Sequence, residues 1–182
     1  MHSMIPLLLA AVLLIAPPAQ AAADAVSAAA GLPLARAASM AWAPDATLIY
    51  VENDEALEPD GTSSRWGYLF ASKSLDALRV YSIERGEIEI AEDLSLRFPA
   101  PPLPEDWIDS QAAVRAAEVH SGAAFRQESG ARLRTACLLR GALRADQPDP
   151  AHWLVVYEAS GAPGLFLLVD ARRGEVTRTW RG

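Results

Sequence analysis

The sequence is poor in cysteine, in lysine and in long apolar runs, and each shortage excludes a class of protein. One cysteine in 182 residues cannot form an internal disulfide framework, so packing must hold the core together. The longest apolar run, Ile5 to Ala16, falls short of the roughly 20 residues that a membrane-spanning helix needs. The formal charge of −7, from 23 acidic and 16 basic residues, argues against a nucleic-acid-binding surface.

The amino-terminal segment has the pattern of a secretory signal peptide. Its apolar run is followed by Pro17-Pro18 and then by Ala19-Gln20-Ala21, which is a small-x-small cleavage site. We therefore expect residues 1–21 to be removed, and the mature chain to be periplasmic or secreted, with no stable membrane insertion. The alternative is a buried amino-terminal helix. No cysteine follows the apolar run, which argues against lipid modification there.

Proline divides the remaining chain into two units. The stretch 98–106 contains four prolines, which lack the amide donor and fix φ, so it cannot continue a helix or an inner strand. We interpret it as a linker between a first unit, 22–97, and a second unit, 107–182. The charge is uneven, because residues 22–121 carry 17 acids and 7 bases whereas residues 122–182 carry 6 acids and 9 bases.

Both units have the order helix, then strands. In the first, an Ala-rich helix over 34–42 precedes a set of β-branched and aromatic runs that predict strands over 47–52, 66–72, 78–84 and 87–91. In the second, Asp109 or Ser110 caps a helix that runs to about His120, with Gly122 as its stop signal. Strands are then predicted over 132–139, 153–158, 165–170 and 175–179.

Two tryptophan strands indicate an internal duplication. Trp66-Gly67-Tyr68-Leu69-Phe70 aligns with Trp153-Leu154-Val155-Val156-Tyr157. A turn glycine then follows each Trp at a similar distance, Gly86 in one unit and Gly174 in the other. Glycine suits such a turn because a tight hairpin requires φ > 0 at one position. The pattern predicts two copies of one unit.

Three features of the second unit resemble the PepSY domain family. They are the helix from Asp109-Ser110-Gln111-Ala112 to Gly122, the strand that begins at Trp153, and the run Leu167-Leu168-Val169-Asp170-Ala171-Arg172-Arg173-Gly174-Glu175-Val176. The first unit resembles the family as a degenerate copy, with Ser82 in the place of Asp170 and with Gly31 and Pro33 interrupting its helix. PepSY domains occur in propeptides of secreted metallopeptidases and in other exported bacterial proteins. The resemblance therefore implies binding or inhibition of a peptidase, and it brings no catalytic residue.

The expected fold is α+β, with two tandem units of the cystatin-like kind, each a helix packed on an antiparallel sheet. Because strand side chains alternate, one face of the tryptophan strands carries the aromatic residues Trp66, Tyr68, Phe70, Trp153 and Tyr157. These five form the candidate partner-binding site. The alternative, favoured by the opposite charges of the two halves, is that they pack against each other between the units.

The opposite face of the same strands is apolar as well. It carries Leu69 and Ala71 in the first unit and Leu154 and Val156 in the second. A sheet with a helix on one side usually has a polar second side, so something is expected to cover this face. The sister unit, packed sheet to sheet, and an external partner are both possible covers.

Residues that carry chemistry are few. His120 and His152 lack the spacing of metal ligands, and no serine lies in a Gly-x-Ser-x-Gly context. The acidic run 52–60 could gather oxygens for Ca²⁺, but it lacks the order of a calcium-binding loop and is better interpreted as a solvated hairpin loop. We predict no catalytic residue, no cofactor and no metal.

The cysteine is predicted to be inert. Cys137 alternates with Leu133, Thr135 and Leu139, which places it on the apolar face of a strand, with no basic neighbour in sequence to activate it. An intermolecular disulfide is the alternative. The sequence thus predicts an exported, non-enzymatic module that binds a protein partner. The expected partner is a secreted or envelope peptidase, which the module would inhibit or modulate. A structural or accessory subunit of a cell-envelope complex is the alternative function.

Overall fold

The computed structural model describes residues 25–95, 101–141 and 150–182. The predicted signal peptide and the start of the predicted linker lie outside the described residues. The first segment contains α1 (Ala28–Trp42), β1 (Thr47–Asn53), β2 (Arg65–Ser72), β3 (Ala77–Glu84) and β4 (Glu87–Leu94). The second contains α2 (Ser110–Ala117), a π-helical turn (Glu118–Gly122), α3 (Ala123–Ser129), β5 (Arg132–Leu139), β6 (His152–Ala159), β7 (Ala162–Asp170) and β8 (Val176–Arg181).

All eight strands form one antiparallel sheet, in the order β4-β3-β2-β1-β5-β6-β7-β8. The predicted α+β class is therefore confirmed. The two four-stranded meanders join through β1 and β5, where Glu52 lies opposite Cys137 and Val51 lies opposite Leu138. They lie side by side in one sheet, so sheet-to-sheet packing of the sister unit, one of the two possible covers of the second apolar face, is wrong. Within its own meander, β1 pairs only with β2 and β5 pairs only with β6. The pairing of β1 with β5 therefore gives backbone hydrogen-bond partners to the edge that each strand would otherwise leave open.

The helices cover one side of the sheet, which we call the helix side. A single hydrophobic cluster on that side includes residues of both segments, from Ala28 and Ala35 of α1 to Ala113 and Val114 of α2. A smaller cluster on the opposite side, which we call the open side, consists of Ile49, Leu69 and Leu78. No helix in the described part of the chain is long and apolar enough to cross a membrane.

Two predicted helix boundaries are wrong, and close packing explains both. The predicted helix over 34–42 in fact begins at Ala28 and continues through Gly31 and Pro33. Gly31 lies against Tyr68, where an added Cβ would be 2.7 Å from the hydroxyl oxygen. Gly122, the predicted stop signal, is likewise packed under a tyrosine ring, and the helix continues to Ser129 before the left-handed Gly130 ends it.

The described part of the proline-rich stretch packs against the rest of the fold. Leu103 is buried, and its N–H group donates to the carbonyl of Leu48 at the start of β1. Glu105 forms an ion pair with Arg36 of α1 at 2.8 Å, and Asp106 forms another with Arg172 after β7. This stretch therefore ties α1 to the β7–β8 turn. The unit boundaries at 97 and 107 stay a prediction.

Candidate functional site

The five aromatic residues of the predicted binding face lie in the core. Their exposure is 0 to 2%, and the helices of the chain cover them. The rings of Trp66 and Trp153 meet edge to face with their centroids 6.3 Å apart, so the alternative, in which the aromatic residues pack together, is confirmed for this pair. In this structure a partner cannot reach any of the five side chains.

The two tryptophans hold the helices onto the sheet through the same contact. The indole N–H of Trp66 donates to the carbonyl of Val26 at 2.9 Å, two residues before α1 begins. The indole N–H of Trp153 donates to the carbonyl of Ile108 at 2.8 Å, two residues before α2 begins. Both indoles thus satisfy their polar group while the ring stays buried.

Cys137 is a free thiol that is 5% exposed. Its burial confirms the prediction. The side chain does not, however, lie on the same side of the sheet as Leu133, as the alternation predicts. A β-bulge between Leu133 and Thr135 shifts the alternation, so Leu133 faces the helix side whereas Cys137 faces the open side. Burial is the largest cause that raises the pKa of the thiol, to about 11, and so keeps it protonated at neutral pH.

The histidines and the acidic loop lie apart. His120 is exposed on the π-helical turn, whereas His152 is buried on β6. The carboxylates of the loop bind separate neighbours: Glu52 with Tyr50, Asp54 with Ser82, Glu55 with Arg65, and Asp60 with Thr62. Within 25–95, 101–141 and 150–182, no group of three such side chains is placed to hold a metal ion.

A shallow cleft between the β1–β2 loop and the start of β5 is lined by three arginines. Arg126 binds both carboxylate oxygens of Glu118, at 3.1 and 2.7 Å, and Arg134 lies 3.7 Å from Glu158. Arg132 is the third. Because two of the three guanidiniums already have carboxylate partners, the cleft does not present a strong anion site.

The two outer strands of the sheet carry opposite charges. We call β4 the acidic edge, because it has four carboxylates and no base: Glu87, Glu89, Glu92 and Asp93. We call β8 the basic edge, because it has Arg178 and Arg181 and no acid. Sequence reasoning located both strands but could not find these surfaces, since a strand becomes an edge through the topology of the whole sheet.

The acidic edge is exposed along nearly its whole length. Ile88 and Ile90 are 39% and 37% exposed, which is unusual for isoleucine. A bulge in the β3–β4 pairing turns them to opposite sides, because Ile88 pairs with Ile83 on the helix side and Ile90 pairs with Ser82 on the open side. Apolar and acidic side chains are thus available together at this edge.

Most carboxylates of the acidic edge have no ionic partner. Asp93 forms an ion pair with Arg79 at 2.9 Å. Glu87, Glu89 and Glu92 have no ion-pair partner among the described residues. An edge strand also presents a row of backbone N–H and C=O groups that point away from its neighbour. The edge can therefore form backbone hydrogen bonds and ionic contacts with an added strand.

Comparisons with known proteins support the fold and no chemistry. The chain is similar to the crystal structure of a "putative lipoprotein" from Clostridium difficile 630, with a TM-score of 0.57 and 11% sequence identity. The similarity covers 84% of this chain and 93% of the other. No protein-family model matches the sequence, and no curated protein matches it. At this identity the similarity shows a shared fold alone.

Proposed function

We propose that the chain is an exported, non-enzymatic binding module whose acidic edge adds a strand from a partner protein. The exposed, unpartnered acidic edge is the observation that carries this proposal. Two further observations support export: the signal-like residues 1–21, and the similarity in fold to a protein described as a lipoprotein. The PepSY resemblance of the second segment supports a peptidase as the partner that is bound or modulated.

Strand addition explains the composition of this edge. A partner segment in extended conformation would form main-chain hydrogen bonds with β4, and its side chains would lie alternately on the two sides of the sheet. Ile90 would contact an apolar side chain on the open side and Ile88 another on the helix side. The unpaired carboxylates select for Arg or Lys in the incoming segment, because opposite charges across neighbouring strands stabilise the pair.

The interior supports binding rather than catalysis. The thiol of Cys137 is buried and its pKa is raised to about 11, so it is a poor nucleophile. The aromatic residues Trp66, Tyr68 and Trp153 are buried and donate hydrogen bonds to backbone carbonyls in or just before the helices. What the fold offers to other molecules is its surface, and the edges are where backbone groups are available.

Site-specific crosslinking tests the proposal. A photo-crosslinking residue at Ile90 in the exported protein should capture a partner on ultraviolet exposure, whereas the same residue at Val119 should not. Val119 serves as the control because it is 84% exposed and lies on the π-helical turn of the second segment, whereas the acidic edge is the outermost strand of the first. Equal capture at the two positions, or capture at Val119 alone, would contradict the assignment of the acidic edge.

A second experiment addresses the peptidase. If the partner captured at Ile90 is a peptidase, adding the purified protein should reduce its proteolysis in a titratable manner, and Glu92→Arg should weaken that effect. A partner without peptidase activity would favour the second function, an accessory subunit of an envelope complex. The second function is supported by the two open edges of the sheet, since they would let one subunit contact two neighbours at once.

A further inference from the structure

We propose that copies of this chain associate head to tail, with the acidic edge of one copy pairing with the basic edge of the next. This inference rests on the proposed function, because it uses the acidic edge as a strand-binding site and assigns a second copy as its partner. The pairing would extend the eight-stranded sheet without interruption. Three features support it: strand direction, charge and the order of side chains.

Strand direction permits this pairing. Every neighbouring pair in the sheet is antiparallel, so with eight strands the two edge strands run in opposite directions. A second copy placed beside the first in the same orientation therefore brings its β4 antiparallel to β8. The helices of both copies then lie on the same side of the extended sheet. No strand has to change direction and no helix has to move.

Charge favours this pairing over its alternatives. The guanidiniums of Arg178 and Arg181 lie over the rings of Trp180 and Phe125, and neither has an ion-pair partner among the described residues. On the opposite edge, the carboxylates of Glu87, Glu89 and Glu92 likewise have no ion-pair partner among the described residues. Two acidic edges, or two basic edges, would bring like charges together, which destabilises neighbouring strands.

The side chains also agree in one register. On β8, Arg178 and Trp180 face the open side, because they pair with Leu168 and Phe166. On β4, Ile90 and Glu92 face the same side. When Ile90 is placed opposite Trp180 of the next copy, an antiparallel pair brings Glu92 opposite Arg178. One register thus gives an apolar contact and an ionic contact, both on the open side.

Such a contact joins two different surfaces, so a pair of copies retains one free acidic edge on one copy and one free basic edge on the other. Heterologous contacts of this kind produce a ring or a linear array rather than a closed two-fold dimer. The association should also weaken with salt, because exposed charges are screened over about 8 Å at physiological ionic strength and about 3 Å at 1 M. Species larger than a dimer at low salt are therefore the expected result.

Charge-reversal variants provide the test. We would measure the mass distribution of the full purified protein by analytical ultracentrifugation, over a range of concentrations at low salt. Glu92→Arg alone and Arg178→Glu alone should each weaken association about tenfold, through the loss of an attraction and the gain of a repulsion. The controls Glu128→Arg and Arg115→Glu reverse exposed charges on α3 and α2 rather than on an edge strand, and they should leave association unchanged.

Mixing the two edge variants gives the decisive result. Glu92→Arg mixed with Arg178→Glu restores an opposite-charge pair at every contact, so the mixture should associate as the unmodified protein does, although neither variant does so alone. A protein that is monomeric at every concentration, or a mixture that is not rescued, would overturn the inference. If the protein is monomeric and Ile90 still crosslinks to a different protein, the proposed function stands and this inference alone fails.

Discussion

The two segments of the fold use the same tryptophan contact but surround it differently. Trp66 and Trp153 each donate an indole hydrogen bond just before a helix, and each lies at the start of its meander's second strand. Trp153 packs edge to face against two indoles, with ring centroids 6.3 Å from Trp66 and 5.9 Å from Trp107. The one indole that Trp66 packs against is Trp153. The shared contact fixes each helix, and the difference makes Trp153 the centre of the common core.

The largest expected effect comes from removing the Trp153 side chain. Trp153→Ala should lower the free energy of unfolding by about 3 to 5 kcal/mol, the range for large aromatic residues in cores. Trp66→Ala should cost less, because Trp66 contacts one indole fewer. The measurement is urea denaturation followed by circular dichroism. Trp180→Ala is the control, since that ring is half-buried on an edge strand and its loss should cost less than either.

A Trp153→Ala protein whose unfolding curve overlays that of the unmodified protein would contradict this account of the core. So would equal losses for Trp153→Ala and Trp180→Ala. In either case the two segments would be held together by the β1–β5 pairing rather than by the common aromatic cluster.

Each segment also has a helix glycine that packs against a tyrosine, Gly31 in the first and Gly122 in the second. A Cβ at Gly122 would overlap the hydroxyl of Tyr157 and lie 2.5 Å from its Cζ. Gly122→Ala should therefore destabilise the protein by about 1 to 3 kcal/mol, as overpacking does, although alanine in an ordinary helix position is about 1 kcal/mol better than glycine. A stabilised Gly122→Ala protein in thermal melting would contradict the contact.

Gly31 offers a matched case in the first segment. Its Cβ would be 2.7 Å from the hydroxyl oxygen of Tyr68 and 3.1 Å from Ile83, so the hydroxyl is the main obstacle. Gly31→Ala should cost less in a Tyr68→Phe background than in the unmodified protein. At Gly122 the ring itself is in the way, so Tyr157→Phe should rescue Gly122→Ala less completely. Equal rescue at both glycines would remove this difference between the segments.

The β7–β8 turn and the β3–β4 turn also differ, and substitutions there should have a smaller effect on the free energy of unfolding. Asp170 is 5% exposed and accepts hydrogen bonds from the N–H groups of Arg172 and Arg173 at 3.0 and 2.9 Å. In the first segment the residue that corresponds to Asp170 by sheet position is Glu84, not the predicted Ser82, because Ile83 pairs with Trp66 as Val169 pairs with Trp153. The Glu84 carboxylate forms an ion pair with Arg85 at 3.3 Å.

Asp170→Asn should lower the free energy of unfolding by about 1 to 2 kcal/mol, whereas Glu84→Gln should change it little. Burial alone would raise the pKa of Asp170, but the two backbone N–H groups and the Arg173 guanidinium lower it below 3.8. A lowered pKa contributes stability above the unfolded value, and this is lost as pH falls through the folded pKa. The difference between Asp170→Asn and the unmodified protein should therefore shrink in acid. A difference that persists below that pKa would contradict the role of the charge.

The sequence predicts local features of this fold better than long-range ones. Asp109 caps α2 by accepting from the N–H of Ser110, as predicted, and Gly86 and Gly174 both have positive φ in their turns. The true functions of Gly31 and Gly122 depend on tyrosines that follow them by more than 30 residues, so a local rule interprets both as helix breakers. Alternation likewise predicted an aromatic face but could not decide that the chain's own helices cover it.

The acidic edge could not be predicted from the sequence for the same reason. Glutamate and isoleucine alternate visibly over 87–90, which is enough to predict a strand. Whether that strand is central or outermost depends on how β1 and β5 pair, which no local pattern specifies. The charge difference between the two halves was visible, and the structure places its extremes at opposite edges of one sheet.

The smallest expected effect concerns the junction between the segments, where Cys137 of β5 lies opposite Glu52 of β1. Thiol labelling of the native protein should be slow, because the side chain is buried and its pKa of about 11 leaves little thiolate at pH 8. The control is Ser160→Cys in a Cys137→Ala background, since Ser160 is exposed in the β6–β7 turn. That thiol should be labelled at least about a hundredfold faster, the factor that two units of pKa give before protection by burial is added. Because the buried side chain of Cys137 must become exposed before it reacts, the labelling rate should rise with urea in parallel with unfolding. Fast labelling without denaturant, or a dimer band that disappears on reduction, would mean that the junction opens independently of the core and that the two segments are less firmly joined than their shared cluster implies.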